Sequence, residues 1–144
     1  MLSSLAFTFQ HTVETAAGPH ALWRLYSDVS TWPRWDHAVE LVRLDGPFAE
    51  GTTGALKLHD RDPLPFRLTE VEPERGFVDE TAIPGGLVRF RHRIEPLDSG
   101  RVRLTHAVEI DAPPPVAEEL GALISAGVPE TMAALAKLAE GATP

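Results

Sequence analysis

The residues of this chain best suited to chemistry are His92 and His106, placed on what reads as the two arms of one long β-hairpin, Gly86 to Asp111. On the first arm Val88, Phe90, His92 and Ile94 alternate with Arg89, Arg91 and Arg93. On the second, Val102, Leu104, His106, Val108 and Ile110 alternate with Arg101, Arg103, Thr105 and Glu109. Alternation of period two sends one set to a buried face and the other to water, and both histidines fall in the apolar set. If the turn Leu97-Asp98-Ser99-Gly100 pairs Ile94 with Leu104, His92 lies directly opposite His106, with Cβ atoms roughly 5 Å apart. Burial depresses the pKa of an imidazole, and each ring opposes protonation of the other. The pair is therefore expected to be neutral near pH 7. It could hydrogen-bond a ligand hydroxyl or carbonyl, or supply a general base beside an acidic C–H or a phenol. Two interior histidines bonded only to each other or to backbone are the structural alternative.

Asp79 is the third candidate. In the run Phe77, Asp79, Thr81, Ile83 one phase is apolar at both ends and polar in the middle. If that phase faces inward, the turn Pro84-Gly85-Gly86 brings Asp79 near His92, and a carboxylate that orients an imidazole is a known way to make a base. The opposite phase, Val78, Glu80 and Ala82, is nearly as good an inward set, so both remain open. His11 shares the phase of Phe7, Phe9 and Val13, which would point it inward; a histidine near an open strand end is the preferred reading. Six histidines invite a metal reading. None has His-x-x-x-His spacing. His92, His106 and Asp79 could in principle hold zinc, but no metal is expected. There is no glycine-rich phosphate loop, nucleophile elbow or dinucleotide fingerprint, so no cofactor is expected either.

The elements that must position these residues can be read in order. Ala6 to Glu14 alternates as a strand. Gly18-Pro19 opens a helix, proline suiting the first helical position, and Leu22, Leu25, Tyr26 and Val29 give it an apolar face. Ser30 or Thr31 is placed to cap a short helical turn holding Trp32-Pro33-Arg34-Trp35. Strands follow at His37 to Leu44, Gly51 to His59 (Gly54 marking a bulge), Pro65 to Glu72 and Phe77 to Ile83, and then the hairpin. From Val116 the spacing Leu120, Ile124, Val128, Met132, Leu135, Leu138 is helical. Glu118 and Glu119 lie in its first turn and Lys137 near its end. Pro129, beside Gly127, should kink or split it. Seven strands joined mostly by tight turns imply an antiparallel sheet, and the last helix is the one element long enough to cover a face.

A chain of 144 residues reads as a single domain, residues 1–144. Thirteen Lys and Arg against twenty-one Asp and Glu give a net charge of −8, which disfavours nucleic acid as a partner. The chain has no cysteine, which removes disulfides and thiolate chemistry and is compatible with the cytoplasm, the expected location. Met1 to Gln10 lacks the pattern of a signal peptide. No apolar stretch is expected to span a bilayer, so no membrane insertion is expected. Oligomeric state cannot be read from the sequence.

Ser27-Asp28-Val29-Ser30-Thr31-Trp32-Pro33-Arg34-Trp35 resembles the helix-turn signature of the START-related (SRPBCC) superfamily, in its polyketide cyclase/dehydrase-like branch. Gly51-Thr52-Thr53-Gly54, Glu70-Val71-Glu72-Pro73, Arg89 to Ile94, and Thr105-His106 before Ala112-Pro113 are similar in order and spacing. The resemblance runs from about Phe7 to Gly141. It implies an α+β helix-grip fold: a curved seven-stranded antiparallel sheet around a long C-terminal helix, with two short helices between strands 1 and 2. It also implies an apolar cavity for a small hydrophobic ligand that is polyketide-, lipid- or aromatic-like. Trp35, Phe66, Phe77, Phe90, Val108, Leu120, Ile124 and Met132 are expected to line it, with His92 and His106 as polar anchors. The family hosts both carriers and cyclases, so binding alone and cyclase/dehydrase-like catalysis both follow from it. A partner-docking protein with a purely structural interior is a third reading.

Overall fold

Alternating side chains build most of this protein, and the strands they form pair with their neighbours in the chain. The computed structural model describes residues 6–141. It contains β1 (Phe7–Thr15), α1 (Pro19–Ser27), a 3-10 turn (Val29–Thr31), α2 (Trp32–Trp35), β2 (Val39–Leu44), β3 (Thr53–Leu58), β4 (Leu64–Glu72), β5 (Gly76–Ile83), β6 (Gly86–Pro96), β7 (Val102–Asp111) and α3 (Pro114–Gly141). The strands form one antiparallel sheet in the order β1-β7-β6-β5-β4-β3-β2. Only β1 lies out of chain order, because α1 and α2 carry the chain across to the far edge. The expected helix-grip architecture is the one observed, with α3 packed on β1 and β7 and against α1 and α2.

Several local expectations need correction. The turn before α2 is capped by Asp28, whose carboxylate accepts from the backbone N–H of Ser30. Neither Ser30 nor Thr31 caps α2; the Thr31 hydroxyl is spent on the carbonyls of Leu25 and Asp28. Gly54 is no bulge: it pairs in register with Leu44 and Phe66. Its need for glycine is close approach, since a Cβ there would stand 2.3 Å from the Arg43 carbonyl oxygen. The bulges fall between Val39 and Leu41 and between Leu68 and Glu70. Helix α3 begins at Pro114, so Glu118 and Glu119 lie beyond its first turn and Lys137 before its last. It also continues through Pro129 as one helix.

One further correction concerns the membrane. At 28 residues, α3 is long and apolar enough to cross a bilayer by length and composition. In this fold one face of it is core: Ala117, Gly121, Val128, Met132, Leu135 and Ala139 are buried.

Gly121 is where α3 meets β1. A Cβ added there would stand 2.5 Å from three atoms of the Phe7 ring, including Cγ. Cγ is anchored next to the backbone, so the ring cannot simply swing aside. Gly121→Ala is therefore expected to cost about 1–3 kcal/mol, the usual penalty of overpacking. A urea denaturation midpoint unchanged from wild type would show that the helix can lift at no cost.

Candidate functional site

Antiparallel pairing arranges the concave face in transverse rows. One row runs His11, His106, His92, Phe77 across β1, β7, β6 and β5. The next runs Phe9, Val108, Phe90, Asp79, Leu68. A third holds Phe7, Ile110, Val88 and Thr81. Rows two residues apart along a strand are about 7 Å apart. The register pairs His92 with His106 and Ile94 with Leu104. It also places Asp79 in the buried phase: Phe77, Asp79 and Thr81 are all inside, and Ala82 is exposed.

The two imidazoles meet edge to face, ring centroids 4.7 Å apart. His92 lies flat on Phe77, centroids 3.9 Å apart and planes 8° from parallel. Its Nδ1 is 3.3 Å from the Phe77 carbonyl oxygen. A carbonyl can only accept, so Nδ1 carries the proton and Nε2 holds a lone pair. Nε2 has no partner among the described residues. No buried side-chain nitrogen or oxygen there is both fully enclosed and unpaired, so Nε2 opens onto reachable space. The backbone carbonyl of Phe77 thus takes the orienting place expected of Asp79.

His106 is held differently. Its Nε2 shares a 2.7 Å hydrogen bond with the hydroxyl of Tyr26, a residue of α1. Tyr26 is completely buried and makes edge contacts with Trp35, Phe77 and His92. The Trp32 indole N–H donates to its carbonyl at 2.9 Å. Tyr26 was legible only as part of the apolar stripe of α1. It is the only tyrosine in the chain, and a polar-tipped ring on a buried stripe is the signal that could have singled it out.

Burial dominates the electrostatics. It drives the pKa of His92 down to about 3, against a smaller upward pull from the Phe77 carbonyl. It drives His106 well below the usual histidine range, reinforced by the neighbouring His92 and His11. It holds the Tyr26 hydroxyl protonated. Asp79 moves the other way, up to about 8, through desolvation first and the adjacent Glu80 second. Both imidazoles are neutral at pH 7, and Asp79 is mostly the uncharged acid. His92, His106 and Asp79 do not combine as metal ligands: among the described residues no three histidine or carboxylate groups are placed to hold an ion.

The other expected site residues divide. Phe66, Phe77, Val108 and Met132 are buried, whereas Phe90, Leu120 and Ile124 are only partly so. Trp35 is a packing residue, buried between Tyr26 and Trp32. His11 faces inward beside His106 rather than standing clear of the row. The rings of Tyr26, Trp32, Trp35, Phe66 and Phe77 contact one another where a hollow over the histidines was expected. Two concavities stand out, one away from the histidines and one that reaches His92. One is an open depression at Lys57, Asp60, Arg61 and Asp62. The other is a groove of about 30 Å³ that includes Glu70, Gly76, Phe77, Arg91 and His92.

The family model described as polyketide cyclase / dehydrase and lipid transport matches residues 6–141. No curated protein matches the sequence. Among solved structures, the ZhuI aromatase/cyclase from Streptomyces sp. R1128 is similar over 93% of each chain, at 18% identity and a TM-score of 0.77. Norcoclaurine synthase from Thalictrum flavum, solved with dopamine and hydroxybenzaldehyde, is 18% identical with a TM-score of 0.74, covering 96% of this chain and 88% of that one. A protein from Thermobifida fusca solved by NMR is 25% identical with a TM-score of 0.76 over 92% of each chain.

Proposed function

Since the chain belongs to the polyketide cyclase / dehydrase and lipid transport family, we propose that it binds a small, largely apolar ligand between the concave sheet face and α3. The observation that carries this reading is His92: its ring is fixed in one tautomer by the Phe77 carbonyl, and its Nε2 is left without a partner. An accessible acceptor on an otherwise buried ring, held in place and unused by the described residues, is what a ligand hydroxyl would find. Admission requires the interior to open. The weakest cover is the N-terminal half of α3, where Leu120 and Ile124 are only partly buried and Leu123 is 65% exposed. Gly127 and Pro129 mark the point at which that half could swing.

A second reading, cyclase/dehydrase-like catalysis on a polyketide-type substrate, is supported by the same nitrogen acting as general base. Its magnitude argues for second place. A base works best with a pKa near the working pH, and the conjugate acid of His92 lies near 3. The imidazole is therefore a better hydrogen-bond acceptor than proton abstractor.

Native mass spectrometry of the protein from its source cells is expected to find a small apolar molecule bound. His92→Phe, which keeps the stacked ring and deletes the acceptor, should weaken its binding by about tenfold, the worth of one net hydrogen bond. Protein that carries no guest would overturn the binding reading. Product formation that disappears in His92→Asn while affinity survives would favour catalysis.

A further inference from the structure

Among the described residues nothing uses Asp79. It is 7% exposed, it makes no hydrogen bond or ion pair among the described residues, and its oxygens are not sealed off. Its partners across both neighbouring strands are hydrocarbon, Leu68 on β4 and Phe90 on β6. Two residues on, Thr81 is a buried residue whose hydroxyl has no partner among the described residues and is not sealed off either, opposite Val88. Desolvation penalises a carboxylate that lacks a compensating charge, and none is buried with it. The buried polar residues are Thr15, Asp79, Thr81, His92 and His106, with no lysine or arginine among them. Arg89, on the adjacent strand, is taken up on the outer face by Glu80 and Glu109.

From this arrangement we propose that the interior selects uncharged ligands bearing a carbonyl oxygen, which the carboxylic acid of Asp79 binds as a hydrogen-bond donor, and that it excludes carboxylates. The proposal rests on the ligand-binding reading above and narrows it: ketones, esters and similar neutral carbonyl compounds are accepted, free fatty acids and aromatic acids are not. The raised pKa of Asp79 agrees with the donor role at neutral pH. On the inner face an anionic ligand would meet two neutral imidazoles, a carboxyl group and no buried lysine or arginine, the arginines beside His92 lying in the outer groove, so it would have to be protonated to enter. A neutral carbonyl satisfies the acid, and a hydroxyl about one row away along the same molecule reaches His92.

The test uses two probes of equal shape, 2-acetylnaphthalene and 2-naphthoate, titrated by calorimetry at pH 7. Imidazole resonances of His92 and His106 report whether each probe occupies the interior. The ketone is expected to bind at least about a hundredfold more tightly, because the acid enters only as its rare protonated form. Asp79→Asn, which keeps an N–H donor, should retain the ketone; Asp79→Leu should weaken it by about tenfold. Equal affinity for the two probes, or tight ketone binding in Asp79→Leu, would overturn the selectivity and leave the binding reading standing. Loss of the ketone in Asp79→Asn would overturn the donor role. If neither probe perturbs the histidines, the binding reading fails and this proposal with it.

Discussion

Phe77→Ala should lower the stability of the protein by about 3–5 kcal/mol, the range for deleting a buried aromatic ring. Whole domains of this kind are stable by roughly 5–15 kcal/mol, so the loss is a large share of the total. The reason is position. Phe77 is 2% exposed. It stacks on His92 and on Trp32 and meets the edges of Tyr26 and Phe48. One ring therefore joins α1, α2, β5, β6 and the loop after β2. Those neighbours are themselves large and mutually packed, so they cannot collapse into the space left behind. That space would be apolar, with His92 on one wall, and an apolar cavity of ring size takes up benzene. Benzene or phenol should then recover part of the loss through mass action on the folded state. The measurement is the urea midpoint with and without the aromatic. A loss below 1 kcal/mol, or no recovery on adding benzene, would show that the neighbours close the gap and that Phe77 is not the hub of the site.

How far the sequence revealed this site follows from the kind of signal each residue gives. Strand residues are legible because a period of two assigns every side chain to a face at once. The opposition of His92 and His106 required only the hairpin turn and the alternation around it. Asp79 was ambiguous because β5 is buried on both phases near Phe77 and Val78, so alternation there carries less information. What could not be read was anything set by the approach of a helix. Tyr26 reaches His106 across 80 residues of sequence, and no local pattern states how deeply α1 sinks toward the sheet. The same depth explains why rings occupy the place where a hollow was expected. Trp32 and Trp35 were recognisable as a signature, but their destination depended on the crossing from β1 to β2. The partner of His92 was missed for another reason: a backbone carbonyl is present at every residue, and sequence cannot say which one a ring nitrogen will find.

Stability should peak near pH 6.5 and fall on both sides, because the buried histidines and the buried carboxyl pull in opposite directions. His92 and His106 titrate lower in the folded state than the ordinary value of 6.5. Below pH 6.5 the unfolded chain therefore binds two protons that the folded protein refuses. Their contribution is fully present above pH 6.5 and is lost as the pH falls, that of His92 down to about 3. Each group changes stability by about 1.4 kcal/mol per pH unit inside its window. Asp79 is the reverse, its folded pKa raised from 3.8 to about 8. The folded protein keeps a proton that the unfolded chain releases, so this contribution is present below 3.8 and lost as the pH climbs to 8. Between pH 4 and 6.5 the two histidines oppose Asp79 and also Asp36, whose carboxyl pKa is likewise raised by burial, and stability rises with pH where the histidine contribution is the larger. Between pH 6.5 and 8 the histidines add no slope, Asp79 sheds its proton in the unfolded chain alone, and stability falls. Tyr26 stays protonated throughout and adds no slope. Guanidinium unfolding at half-unit pH steps measures both limbs. Asp79→Asn, neutral at every pH and nearly the same shape, should abolish the alkaline limb and steepen the acid one by about 1.4 kcal/mol per unit, the share of one group. A wild-type curve that is flat from pH 6.5 to 8, or an alkaline limb that survives in Asp79→Asn, would mean that the Asp79 carboxyl ionises freely. The uncharged donor at the centre of the proposed ligand selectivity would then not exist.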